Sequence, residues 1–359
     1  MSAGPGRLRS RVLRSAARLC ARAGVLGPLH ALANRFEPRG TRGGFPLIRR
    51  RHRRSVQILL YHRVQPQPDP FLPAVPLRDF ERQMECLARR FRVIPLEQAL
   101  RGVEARDVPD SAVVLTFDDG YRDNFDHAFP VLRSLGLPAT IFLTTGLVGT
   151  SCLLWHDRVF RAFALTSERS LGPFGEPPAT YDLEGPGARE TARDRILEYL
   201  KTLHPVEREK RIDDLVARLS VGDAAPDERL LLNWDEVQEM HRTGFSFGSH
   251  TVTHPVLSRI PPDEARVELV ESRRAIEQRL GTPCLAFAYP NGRSADYTPA
   301  IKALARDAGY RYGLTTVFGA HPARGAAGCG DPFEIRRMGV GERDPDLFVA
   351  KMSLYKFLG

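Results

Sequence analysis

Val113-Val114-Leu115-Thr116-Phe117-Asp118-Asp119-Gly120 is an apolar run closed by two acids and a glycine. Val, Leu, Thr and Phe fit a buried, pleated strand, and the glycine ends it in a turn. Two adjacent carboxylates at a strand end repel, and placing both there is costly unless a cation neutralises one of them. The same grammar recurs outward in both directions. Residues 56–64, "VQILLYHRV", form an apolar run that ends in Tyr61 and His62; 139–143 is another run; 245–249 leads into His250; 285–289 leads into Pro290-Asn291-Gly292; 311–316 follows. Between the runs, helical periodicity covers 80–91, 128–135, 235–242, 263–280 and 298–308. Strands alternating with helices predict an α/β fold on a mainly parallel sheet, open or closed into a barrel. The chemically active residues sit just after apolar strands, where such folds build their sites.

The chain has 359 residues, enough for one large α/β domain with insertions or for two small domains. Hydrophobic residues make up 42% and charged residues 26%, so a sizeable core is available. The net charge of +9 is unevenly spread: residues 1–56 hold fourteen arginines and one acid, Glu37, whereas the other 303 residues carry 38 basic and 42 acidic side chains. The body is mildly acidic, and the high isoelectric point is no sign of nucleic-acid binding by it. Five cysteines (Cys20, Cys86, Cys152, Cys284 and Cys329) are scattered without a CxxC spacing, which argues against a disulfide framework or a structural zinc site. No apolar run approaches the roughly 20 residues of a membrane span.

The organisation expected is a basic segment over residues 1–55 and a folded body over 56–359, interrupted at about 150–230 by a charged helical insertion, either a lid or a peripheral decoration. Arg7, Arg11, Arg14, Arg18 and Arg22 fall on one stripe of a helix over 1–26, with Leu8, Val12, Ala16, Leu19, Cys20 and Ala23 on the other side. That pattern suits a peripheral helix on an anionic membrane surface, or a disordered basic leader. With no apolar secretory stretch at the N-terminus, the expected address is cytoplasmic, peripheral to the inner membrane, with export left open.

A second motif, "GSHTVTHP" at 248–255, places His250 and His254 four apart, a spacing that would bring both onto one side of a helical turn. A surface pair is the bland alternative, as a solvated turn is for Asp118-Asp119-Gly120. A calcium loop is ruled out by Tyr121, which stands where a ligand is needed. Taken together, one carboxylate and two imidazoles make a metal triad with open coordination positions, the mark of a catalytic site.

The sequence "TFDDG" at 116–120 with "SHTVTH" at 249–254 resembles the two metal motifs of the polysaccharide deacetylase superfamily (NodB homology, carbohydrate esterase family 4), and the permuted exopolysaccharide deacetylases most. The likeness extends through 121–146 and 254–292. It implies a (β/α) barrel, distorted or seven-stranded. It also implies Asp118 as general base and Asp119, His250 and His254 as ligands of a divalent metal. Zinc is the first choice; cobalt, nickel, manganese and iron suit the same donors. In "AYPNG", 288–292, the Asn291 N–H would help hold an oxyanion. Ala288 stands where the family usually has the arginine that orients the base. Arg336 or Arg337 is the replacement, Arg337 being placed with Asn291 on the oxyanion and substrate side; a surface arginine pair is the alternative. The family acid is a histidine. His321 is one candidate, but His62, in the N-terminal Tyr-His, matches the permuted type, against a merely packed histidine at a strand end. The implied substrate is an N-acetylated glycan or amino sugar. Rival readings are hydrolysis of a non-sugar or cyclic amide, and a non-catalytic carbohydrate-binding relative favoured by the missing arginine.

Overall fold

The computed structural model describes residues 55–67, 73–105, 107–222, 229–322, 330–341 and 344–358. The expected amphipathic helix over 1–26, its linker, Cys20 and Cys329 lie outside the described residues.

Seven parallel strands close into a barrel: β1 (Ser55–Tyr61), β2 (Ala112–Phe117), β3 (Thr140–Leu143), β4 (Ser246–Ser249), β5 (Ala286–Ala288), β6 (Tyr312–Phe318) and β7 (Ile335–Gly339). Closure falls to β1, which pairs with β2 from Gln57↔Val113 to Tyr61↔Phe117 and with β7 at Leu59↔Met338. Both faces of the strands are covered, and for that reason they read as continuous apolar runs. Val56, Ile58, Val114, Phe142, Ala288, Leu314 and Ile335 share one apolar cluster. The alternate residues Leu59, Tyr61, Val113, Leu115, Phe117, Ile141 and Phe287 pack with helical residues such as Phe80, Leu132, Val237 and Leu269. β4 needs its glycine: a Cβ at Gly248 would collide with the Phe142 ring and with the Ala286 carbonyl.

The helices are α1 (Leu77–Arg90), α2 (Leu96–Ala105), α3 (Phe129–Ser134), α4 (Trp155–Leu165), α5 (Pro186–Leu200), α6 (Pro205–Arg218), α7 (Trp234–Arg242), α8 (Pro262–Leu280), α9 (Pro299–Asp307) and α10 (Pro345–Leu358). Helix α7 begins with a reciprocal cap, in which the Asn233 side chain accepts from the Glu236 N–H and Glu236 accepts from the Asn233 N–H. The insertion is not wholly helical. Between α4 and α5 it carries an antiparallel hairpin, Ser170–Phe174 with Ala179–Asp182. Trp155, Phe163, Leu171, Ile196, Ile212 and Leu215 give it an apolar core of its own. Among the described residues no helix is long and apolar enough to cross a membrane.

Candidate metal centre and catalytic pocket

The site forms at the C-terminal end of the barrel strands. Asp118 extends β2, its N–H donating to the Tyr61 carbonyl at 3.0 Å. The chain then turns left-handed through Asp119 (φ 72) and Gly120 (φ 78). This turn releases the two acids from the opposite facing of a strand and lets them share one site.

Asp118 is held by an arginine. Arg337 Nη1 and Nη2 each donate to one Asp118 oxygen at 2.7 Å, and its Nε donates to the Thr315 carbonyl at 2.9 Å. Arg337 is fully buried, whereas Arg336 is exposed. Burial would raise the Asp118 carboxyl, but the Arg337 guanidinium and His250 more than offset it and hold it below its ordinary range. Arg337 thus stands behind Asp118 as an orienting group. It is absent from the pocket lining, contrary to its expected place on the substrate side.

Asp119, His250 and His254 offer three ligand atoms within 4.8 Å of one another. Both imidazole Nε2 atoms face Asp119 Oδ1 at 3.3 Å, and that buried oxygen accepts no hydrogen bond from the described residues. Burial would raise Asp119, yet the two facing rings pull it well below its ordinary range. The His250 Nδ1–H donates to the Ala288 carbonyl at 2.8 Å, which leaves Nε2 as the free lone pair. The residue that lacks the arginine therefore serves the site through its backbone. On the other side, the Trp155 indole N–H donates to His254 Nδ1 at 3.3 Å. A neutral His254 so bonded carries its proton on Nε2; a cation held at that nitrogen would require the proton on Nδ1 and would end the Trp155 bond. A buried carboxylate oxygen that makes no well-aligned hydrogen bond, flanked by two imidazoles, fits a divalent cation.

The two histidines do not share a helical turn. Thr251 (φ 69) and His254 (φ 62) are left-handed, and the segment is an irregular loop. Its donors are captured by side chains instead of by carbonyls one turn back. Glu268 of α8 accepts from the N–H groups of Val252 (2.6 Å) and Thr253 (2.9 Å) and from the Thr253 hydroxyl (2.6 Å). The Thr251 hydroxyl accepts from the His254 N–H at 3.1 Å.

A pocket of about 440 Å³ opens onto these groups, lined also by His62 and Asn291. His62 is exposed, its carbonyl fixed by Asn124 Nδ2 at 2.8 Å, and a charge on it would lower both Asp118 and Asp119. Asn291 is left-handed (φ 61); its side chain donates to Asp296 and its carbonyl accepts from the Thr316 hydroxyl at 2.7 Å. His321 is elsewhere: it pairs with Val56 at the start of β1, at the opposite end of the barrel.

The insertion supplies pocket residues that the motifs did not announce: Trp155, His156, Asp157, Phe160, Leu197 and Lys201. Tyr121 donates to Asp157 Oδ1 at 3.0 Å and lies 3.1 Å from His156 Nε2. Burial pushes Asp157 up to about 7 and His156 down to about 3. The signal was "WHD" at 155–157, an aromatic–imidazole–carboxylate triplet just ahead of a charged stretch.

An Asp/His/His group at the mouth of a closed parallel barrel, beside a second carboxylate locked to arginine, is the equipment of a hydrolase acting on an acyl group. Residues 105–313 match the family model for polysaccharide deacetylase, and the chain belongs to that family. The Bacillus subtilis protein named "Putative polysaccharide deacetylase YxkH" is 24% identical over 268 residues, covering 74% of this chain and 66% of YxkH, just under two thirds of its length. The poly-β-1,6-N-acetyl-D-glucosamine N-deacetylase of Staphylococcus epidermidis is 30% identical over 112 residues, 27% of this chain and 38% of that enzyme. Among solved structures, the deacetylase PplD of Streptococcus pyogenes superposes with a TM-score of 0.55 at 22% identity, covering 83% of this chain and 98% of PplD. IcaB from Ammonifex degensii gives 0.53 at 20%, covering 83% and 97%. These likenesses agree with the barrel.

Proposed function

We propose that this protein removes N-acetyl groups from an amino-sugar polymer or glycan precursor, releasing acetate and a free amine. The observation that carries the reading is the Asp118–Arg337 pair set beside the Asp119/His250/His254 group in one pocket. Asp119, His250 and His254 would hold a divalent metal, zinc first. Such an ion supplies Lewis acidity toward the acyl carbonyl and toward a water. Asp118, kept ionised by Arg337, takes the proton from the attacking water. The Asn291 N–H helps hold the charge that develops on the acyl oxygen, and His62, exposed at the pocket, gives a proton to the leaving amine. The arginine absent at Ala288 was the feature favouring a non-catalytic relative, and Arg337 removes that support. A cytoplasmic enzyme held at the inner membrane through residues 1–26, acting on a lipid-linked precursor, is the setting that the basic segment favours.

The test is acetate release from N-acetylglucosamine oligomers by the full chain, with chelation and zinc add-back. Asp118→Asn is expected to lower kcat by about 10²–10⁴-fold. Acetate release indifferent both to this substitution and to chelation would sink the reading.

A further inference from the structure

The insertion leaves the barrel after β3, and three ties carry it across the β4 loop toward β5. Trp155 meets His254 in the β4 loop. His204, at the start of α6, lies 3.3 Å from Glu264 at the start of α8. Furthest out, Arg293 on the loop after β5 grips Glu198 at the end of α5 with both terminal nitrogens, one of them at 2.7 Å from Oε1. Lys201 Nζ donates to the same carboxylate at 2.9 Å. Lys201 and Arg293 both line the pocket, so the tie sits on its rim. Arg293 is itself anchored, its N–H donating to Asp296 Oδ2 at 2.8 Å.

These contacts join the insertion to the loops after β4 and β5 beside the pocket. Away from the insertion, the lining includes His62, Arg63 and Pro73 after β1, Tyr121 after β2, and Thr316 of β6. The cavity, about 440 Å³, has the size of a small-molecule pocket, which is roughly 300–1,000 Å³.

We propose that the Glu198–Arg293 clasp, with Lys201 beside it, blocks the insertion side of the site, so that the enzyme takes the end of an acetylated saccharide, or a short one, and not the interior of a long chain. The proposal rests on the deacetylase reading given above. Two cations on one carboxylate also leave surplus positive charge on the rim.

The experiment uses the full zinc-loaded chain and an N-acetylglucosamine hexamer, with the deacetylated position located by tandem mass spectrometry. The native protein is expected to release acetate from an end residue. Glu198→Ala, Arg293→Ala and their combination are expected to raise internal over terminal deacetylation by about 10-fold or more, the scale of discrimination that a pocket wall supplies. Glu198→Gln keeps the shape and removes the charge, and it should shift the pattern the same way. A merely structural role would lower all positions together. Internal deacetylation by the native protein, or an unchanged pattern in folded variants, overturns the clasp and leaves the deacetylase reading standing. No acetate from hexamer or from monomeric N-acetylglucosamine removes both.

Discussion

Arg337 and Asp118 are buried together, and the guanidinium holds the Asp118 carboxyl below its ordinary range. Removing one partner of such a pair costs about 3–5 kcal/mol, because the other is left charged and alone. Arg337→Met should therefore lower the unfolding free energy by about that amount in a urea melt. It should also move the acid limb of the kcat/KM profile upward. The sign follows from the cause: burial raises the carboxyl and Arg337 overrules it, so without Arg337 the carboxylate takes up its proton at a higher pH. In the native protein that carboxylate contributes stability above its unfolded pKa, and the contribution fades as pH falls through its depressed folded value. An acid limb left in place would show that Arg337 does not tune the base. A second expectation concerns Trp155, one of two tryptophans. In a Trp234→Phe background, zinc added to metal-free protein should change its fluorescence, because ligation at His254 Nε2 ends the indole hydrogen bond. A flat titration at saturating zinc would contradict the proton assignment.

The loop that carries His250 and His254 depends on a helix that contributes nothing else to the pocket. Glu268 of α8 holds two of its N–H groups and one hydroxyl, so Glu268→Ala should weaken zinc binding by about 10–100-fold, read by competition with a fluorescent chelator. Unchanged affinity would mean that the loop holds its shape unaided. Little of this was readable beforehand. A four-residue spacing brings two histidines together in a helix and in this loop alike; what separates them is a carboxylate on a later helix, where a glutamate looks like ordinary solvated surface. The strands were plain, because burial on both faces leaves unbroken apolar runs. Even Arg337 had a local sign. In "EIRRMG", period-two alternation puts it on the face of Ile335 and turns Arg336 out. Its partner could not be read that way, since no local pattern links β7 to β2.

At the scale of the whole molecule, barrel and insertion are separately cored bodies joined by polar ties and by a small apolar cluster of Tyr121, Leu154 and Leu231. The boundaries of the insertion were visible as a break in the alternation, whereas its share in the pocket was not, because the ties join side chains far apart in sequence. The exposed ion pair at Glu198 and Arg293 is screened by solvent and worth little in stability. Glu198→Ala with Arg293→Ala should accordingly leave the barrel strands protected from hydrogen exchange, with any faster exchange confined to the end of α5. Uniform loosening by mass spectrometry would mean that the two parts open as one.

The Asp118–Arg337 bond spans 219 residues. A ribosome adding roughly 5–20 residues per second needs on the order of 10–40 s to cover that distance. Throughout that interval the acid pair hangs from an unfinished barrel, its arginine still untranslated. Under the proposed mechanism, the nascent chain lacks the group that orients its base until the last barrel strand emerges.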